Sequence, residues 1–194
     1  MTPDDILADL LQKFFRKAKV KLPSSISVLD VGAGRWEYAP ALLGFLGKCG
    51  VGKGKRDVRL KGVDPLGAQL SPKVPEGAAY HPVDALDLDE HDAYDLIFLI
   101  HPFPDYRLKE HGLPAHPPAT FFGKILSLAK EGGYVVGVAY GAPPEEYALF
   151  SQFPKEHLVL MERYADEQAT RLDYGLGRDT YHDNMVLIGR KRRV

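Results

Sequence analysis

Seven consecutive residues, Val28-Leu29-Asp30-Val31-Gly32-Ala33-Gly34, restrict the fold of this 194-residue chain more than any other stretch. Ile26 to Val31 is a short apolar run of strand type. It enters a turn where Gly32 and Gly34 allow the backbone to approach a ligand closely. Tyr38 to Leu46 then reads as a helix, with Pro40 accommodated in the first turn. Strand, glycine turn and helix in that order form the first half of a βαβ unit, whose helix aims unpaired N–H groups at whatever lies over the turn. A glycine pair after a strand is common, so the weight rests on the residues further along the chain.

The alternation continues. Val58 to Val63 and Ala78 to His81 read as the next strands, and Leu96 to Ile100 is an apolar run suited to burial on both faces. Tyr134 to Tyr140, His157 to Met161 and Met185 to Gly189 read as the remaining strands. Residues 4 to 20 form an amphipathic helix, with Ile6, Leu7, Leu10, Leu11, Phe14, Phe15 and Ala18 on one stripe. Thr120 to Lys130 is expected to be a helix stopped by Gly132-Gly133, and Pro143 to Phe150 a short one. The crossover Pro65 to Gly77 holds three prolines, too many for a full helix. Strands alternating with helices predict an α/β fold with a mostly parallel sheet and helices on both faces. With 45% apolar residues the chain can build one core. A single domain is expected over residues 1–194, with the N-terminal helix in 1–24 and the core in 26–190.

Three acids punctuate the strands. Asp30 sits two residues before Gly32. Asp64 ends the second strand in Gly62-Val63-Asp64-Pro65, and Asp84 follows the third in Val83-Asp84-Ala85-Leu86. Open α/β sheets bind ligands outside the carboxyl ends of their strands. There, Asp64 would accept from both hydroxyls of a ribose, and Asp84 would lie near a base. As an acid at a strand end, Asp64 is expected outside the packed interior.

On these residues the chain resembles the class I S-adenosylmethionine-dependent methyltransferases over roughly residues 26 to 190. The resemblance extends through Tyr94-Asp95-Leu96-Ile97-Phe98-Leu99, the helix-and-glycine stretch from Leu126 to Val136, and Asn184-Met185-Val186-Leu187-Ile188-Gly189. It implies a Rossmann-like seven-stranded sheet with an antiparallel final strand, and S-adenosyl-L-methionine as cofactor. By position, Asp30, Gly32, Ala33 and Gly34 would frame the methionine part. Asp64 with Pro65 would hold the ribose, Asp84 with Ala85 the adenine, and Ile100 would line the same cleft. One departure is Trp36, where members often carry a third glycine. Its indole either packs over the methionine end or fills core. The fourth strand's end, His101-Pro102-Phe103-Pro104-Asp105, matches no substrate-class signature.

A sulfonium methyl is already activated, so the protein mainly aligns the acceptor and excludes water. His101 ends the fourth strand at the cleft and is the candidate general base; Asp105 and Tyr106 are candidates to orient the acceptor. The Pro-rich connection Pro102 to Pro118 is long for a compact fold, as binding loops often are. The N-terminal helix either covers the cleft or packs on the sheet.

Other classes fit less well. A nicotinamide-dinucleotide fingerprint wants glycine at position 37, where Glu37 stands. Gly47 to Gly54 approaches a triphosphate-binding loop, but Gly54 replaces the magnesium-binding hydroxyl and the stretch follows a helix. His101, Asp105, His111 and His116 have no standard zinc spacing, so no metal is expected. A nucleoside-binding module without turnover is the main alternative. The apolar runs are far short of the ~20 residues of a membrane span. Without a signal-peptide pattern and with only Cys49, a cytoplasmic protein is expected. Over residues 1–61, Lys and Arg outnumber Asp and Glu by 12 to 6, and Arg190-Lys191-Arg192-Arg193 adds positive charge at the other end. That surplus gives weak support to a nucleic-acid acceptor; two solvated faces account for it as well. The acceptor and the oligomeric state are not expected from sequence.

Overall fold

The computed structural model describes residues 3–48, 56–100, 102, 109, 111–139, 144–164 and 184–192. In chain order the elements are α1 (Pro3–Lys17), β1 (Ser25–Val31), α2 (Ala39–Lys48), β2 (Asp57–Val63), α3 (Gly67–Leu70) and β3 (Ala78–His81). They continue with β4 (Tyr94–Ile100), α4 (Pro118–Leu128), β5 (Ala129–Ala139), α5 (Pro144–Ser151), β6 (Leu158–Tyr164) and β7 (Asn184–Arg190). Short 3-10 turns lie at Ala85–Asp87 and Lys155–His157.

All seven strands join one sheet in the order β3-β2-β1-β4-β5-β7-β6. Strand β7 runs antiparallel to both β5 and β6, and the β3-β2-β1-β4-β5 pairings are parallel. This is the predicted Rossmann-like sheet. The chain winds outward from β1 to β3 and returns to β4 on the other side of β1. The crevice at the carboxyl ends of β1 and β4 is therefore the point where strand order reverses, the usual ligand position in such sheets.

Period-2 alternation divides the core between the faces. Ile26, Val28, Leu60 and Phe98 face α1 and α2, whose Phe15 and Phe45 meet edge-to-face at 5.2 Å. Leu29, Val31, Ile97 and Leu99 pack in the other layer with Phe122 and Phe150. Residues Leu7, Leu10, Leu11, Phe14 and Phe15 of α1 are buried, so the predicted stripe packs into the first layer. The Lys17 ammonium also bonds Glu162 on β6.

The structure corrects one expectation on element type. Helix α4 ends at Leu128 and β5 starts at once at Ala129, so Gly132 and Gly133 lie inside a strand and do not stop the helix. Gly132 has φ of +74°, and a Cβ on Gly133 would sit 3.0 Å from the Tyr94 carbonyl oxygen. The register between β4 and β5 shifts at that place, so the glycines serve a strand irregularity. The crossover after β2 holds no full helix, as its three prolines predict, only the four-residue α3. Between β3 and β4 the chain makes only the Ala85–Asp87 turn. In keeping with this, Asp57 and Arg59 of β2 are exposed, and half-buried Lys61 bonds Glu90 at 2.6 Å. Among the described residues, no helix is long and apolar enough to cross a membrane.

Candidate functional site

The glycine turn after β1 is held in shape by its own surroundings. Gly32, Gly34 and Trp36 all have positive φ, at 76°, 58° and 57°. The backbone at position 36 thus keeps the left-handed form that favours glycine, although a tryptophan stands there. For a non-glycine residue this costs about 1–2 kcal/mol, and the surrounding contacts offset it. Trp36 is fully buried, and its ring lies over Gly62 of β2, where a Cβ would come within 2.7 Å. The Tyr80 ring packs on it at 5.5 Å between centroids. Trp36 therefore fills core and does not cover the methionine end. Tyr80 also donates from its hydroxyl to the Gly34 carbonyl at 2.9 Å. Burial, followed by the Asp64 and Asp30 carboxylates, holds its phenol far above the usual range, so it remains a donor.

The turn's amides are already engaged. Gly32 and Ala33 donate to the Val63 carbonyl at 2.9 and 3.1 Å, and Trp36 donates to the Ala33 carbonyl at 2.9 Å. Gly34 donates to Asp64 Oδ2 at 2.9 Å. A phosphate-binding turn leaves such N–H groups free to face the anion. This one offers carboxylates instead.

Asp30 lies wholly inside, beneath the turn. Its Oδ2 accepts the Trp36 indole N–H at 2.8 Å, and its Oδ1 has no hydrogen-bond partner among the described residues. Burial pushes its pKa up to about 7, although the Trp36 indole and the nearby Tyr38 hydroxyl favour the charged form; the Asp64 charge adds to the rise. With no exposed surface, it supports the turn from below and does not line the cleft.

Asp64 departs from expectation. It is only 8% exposed, because both its oxygens hold backbone: Oδ2 takes Gly34 N–H, and Oδ1 takes Leu66 N–H at 2.7 Å. A strand-end acid is inside here because two loops converge on it. A carboxylate has about four acceptor positions, so these bonds leave lone pairs available. Asp84 is half-buried and caps the Ala85–Asp87 turn, its Oδ1 accepting from Leu86 N–H at 2.9 Å. Its Oδ2 meets His116 Nε2 at 2.6 Å. In the sequence His116 is a candidate only for metal binding, and nothing local marks it as a partner of a residue 32 positions away.

The structure thus gathers Gly32, Ala33, Gly34, Asp64, Pro65, Asp84, Ala85 and Ile100 at the carboxyl edge of β1 to β4. Ala33, Ala85 and Ile100 are buried and serve as packing beneath that edge. Pro102, the first residue described beyond β4, has its Cα 3.8 Å from where a Cβ on Gly32 would lie. His101, Asp105 and Tyr106 lie outside the described residues, as do residues 49–55 of the glycine-rich basic stretch. His111 is exposed, and no group of three metal-ligating side chains is assembled among the described residues.

With this geometry, the chain has the fold of the class I S-adenosylmethionine-dependent methyltransferases. The N-methyltransferase NodS from Bradyrhizobium japonicum WM9, solved with S-adenosyl-L-homocysteine, superposes with a TM-score of 0.58 at 13% identity, covering 99% of this chain and 89% of that one. The 1,6-didemethyltoxoflavin-N1-methyltransferase of Burkholderia thailandensis, solved with 1,6-didemethyltoxoflavin and S-adenosylhomocysteine, gives 0.54 at 16%, covering 96% and 76%. The [4+2]-cyclase SpnF gives 0.56 at 14%, covering 98% and 82%. No protein-family model and no curated protein sequence matches the chain. A cyclase among these neighbours means that the scaffold alone does not fix the reaction.

Proposed function

We propose that this chain binds S-adenosyl-L-methionine at the carboxyl edge of β1 to β4 and transfers its methyl group to an acceptor. The observation that carries the reading is the charge and valence of that edge. Two carboxylates, Asp64 and Asp84, follow the neighbouring strands β2 and β3, and four amides of the glycine turn are engaged internally. Such an edge suits a nucleoside that carries positive charge and no phosphate. A dinucleotide's pyrophosphate would meet Asp64 where it needs free N–H groups.

When bound, S-adenosylmethionine supplies an activated methyl group. The chain's part is to hold the nucleoside and bring the acceptor in line. Asp64 has lone pairs left for ribose hydroxyls, and Asp84 for a base amine. On the acceptor side we assign His101 as the general base and Asp105 and Tyr106 as orienting groups, because they follow directly from the end of β4. The acceptor is a small molecule or a nucleic acid, the latter favoured only by the basic N-terminal third.

Calorimetric titration with S-adenosylhomocysteine and, separately, a nicotinamide dinucleotide tests the cofactor. Binding of the first alone supports the reading, and binding of the second alone refutes it. Transfer of a labelled methyl group to candidate acceptors then separates a methyltransferase from a nucleoside-binding module.

A further inference from the structure

Asp84 is held by a histidine that returns to it from a distant part of the chain. His116 lies in the connection between β4 and α4, flanked by Pro114, Pro117 and Pro118. Its Nε2 sits 2.6 Å from Asp84 Oδ2, and the two side chains are only 14% and 19% exposed. A carboxylate can only accept, so Nε2 carries the proton and donates. Asp84 Oδ1 is fixed as well, by Leu86 N–H at 2.9 Å. The carboxylate is therefore clamped at both oxygens, in one orientation, beyond the end of β3. Its remaining lone pairs can accept from a ligand, and it has no proton to offer.

We infer that His116 is a positioning residue for base recognition: it orients Asp84 as an acceptor-only reader that selects an amino-purine over an oxo-purine. An exocyclic amine donates to such a carboxylate, whereas a carbonyl at the same place faces it lone pair to lone pair. The same bond ties the end of the acceptor-side connection to the acid that reads the base. The inference rests on the nucleoside reading above.

The test is calorimetry with S-adenosylhomocysteine and S-inosylhomocysteine, which differ at the base amine. Wild-type protein is expected to prefer the adenosine compound. In His116→Ala, affinity for that compound should fall about tenfold, the weight of one charge-assisted hydrogen bond. Affinity for the inosine compound should barely change, so the preference collapses. His116→Gln, whose amide can donate from a similar position, should recover most of it. A histidine that merely braces the fold would weaken both compounds equally, and that result overturns the inference. So does an unchanged preference in His116→Ala. His116→Phe keeps a ring without the donor and serves if the alanine variant does not fold; loss of the fold in both makes the pair structural and also overturns the inference. Wild-type protein that binds neither compound removes the nucleoside reading itself, whereas normal wild-type binding with unaltered variants refutes the role of His116 alone.

Discussion

Replacing Asp30 with Asn probes the support of the turn most directly. In the folded chain the carboxyl pKa is pushed from 3.8 to about 7, chiefly by burial. Folding therefore favours the protonated acid. Between those two values the unfolded chain has released the proton and the folded chain retains it, so stability falls as pH rises. Each pH unit across that interval is worth about 1.4 kcal/mol, and the whole interval gives about 4 kcal/mol as an upper bound. Above pH 7 the cost is fully present; below pH 4 it vanishes. An asparagine oxygen can still accept the Trp36 indole N–H, and the side chain carries no charge at any pH. Its NH2 puts a donor where Oδ1 offered an acceptor near the Tyr38 hydroxyl, an exchange that costs roughly 1–3 kcal/mol at all pH values. The informative quantity is thus the slope. Urea unfolding of both proteins at pH 4.5, 6 and 8 should show the variant gaining about 2–4 kcal/mol on the wild type across that range. A gap that stays constant with pH would refute the claim that Asp30 is held against ionisation beneath the turn.

Three further perturbations probe the same edge. Gly62→Ala places a methyl group 2.7 Å from the Trp36 ring; overpacking should cost about 1–3 kcal/mol, and an unchanged urea midpoint would mean that Trp36 is not seated on β2. Asp64→Ala removes the acceptor for Gly34 and Leu66 N–H. It should lower stability by about 1–3 kcal/mol and S-adenosylhomocysteine affinity by about 2–4 kcal/mol, whereas calorimetry showing full affinity would take Asp64 out of the site. Replacing His101, Asp105 and Tyr106 together with Ala should leave cofactor affinity near wild type and abolish methyl transfer; normal turnover would move the acceptor site elsewhere.

Much of the framework is legible in the sequence. Strand β3 spans Ala78–His81 as predicted, and β1, β2 and β7 are each a residue longer at one or both ends. Apolar runs of four to seven residues bounded by turn formers are strongly constrained, since a one-residue slip would turn buried side chains to solvent. The positions of Asp30, Asp64 and Asp84 at one sheet edge follow from the same runs, because parallel strands end on the same side. The junction of α4 and β5 is less legible. Ala129-Lys130-Glu131 suits a helix on local preference, and pairing of Ala129 with Tyr94 makes it strand.

Local apolar period and turn chemistry, both written in the residue order, are enough to set the alternation of elements, the parallel sheet and the acids that follow its strands. The roles of those acids come from packing. Asp30 becomes a buried support because Trp36 folds over Gly62, in a left-handed conformation no local preference announces. Asp64 becomes a clamp between Gly34 and Leu66, and Asp84 the partner of His116. A carboxylate's role depends on which donors reach it and how much water remains. Those donors come from residues up to 32 positions away, brought close only when the sheet and its crossovers are packed.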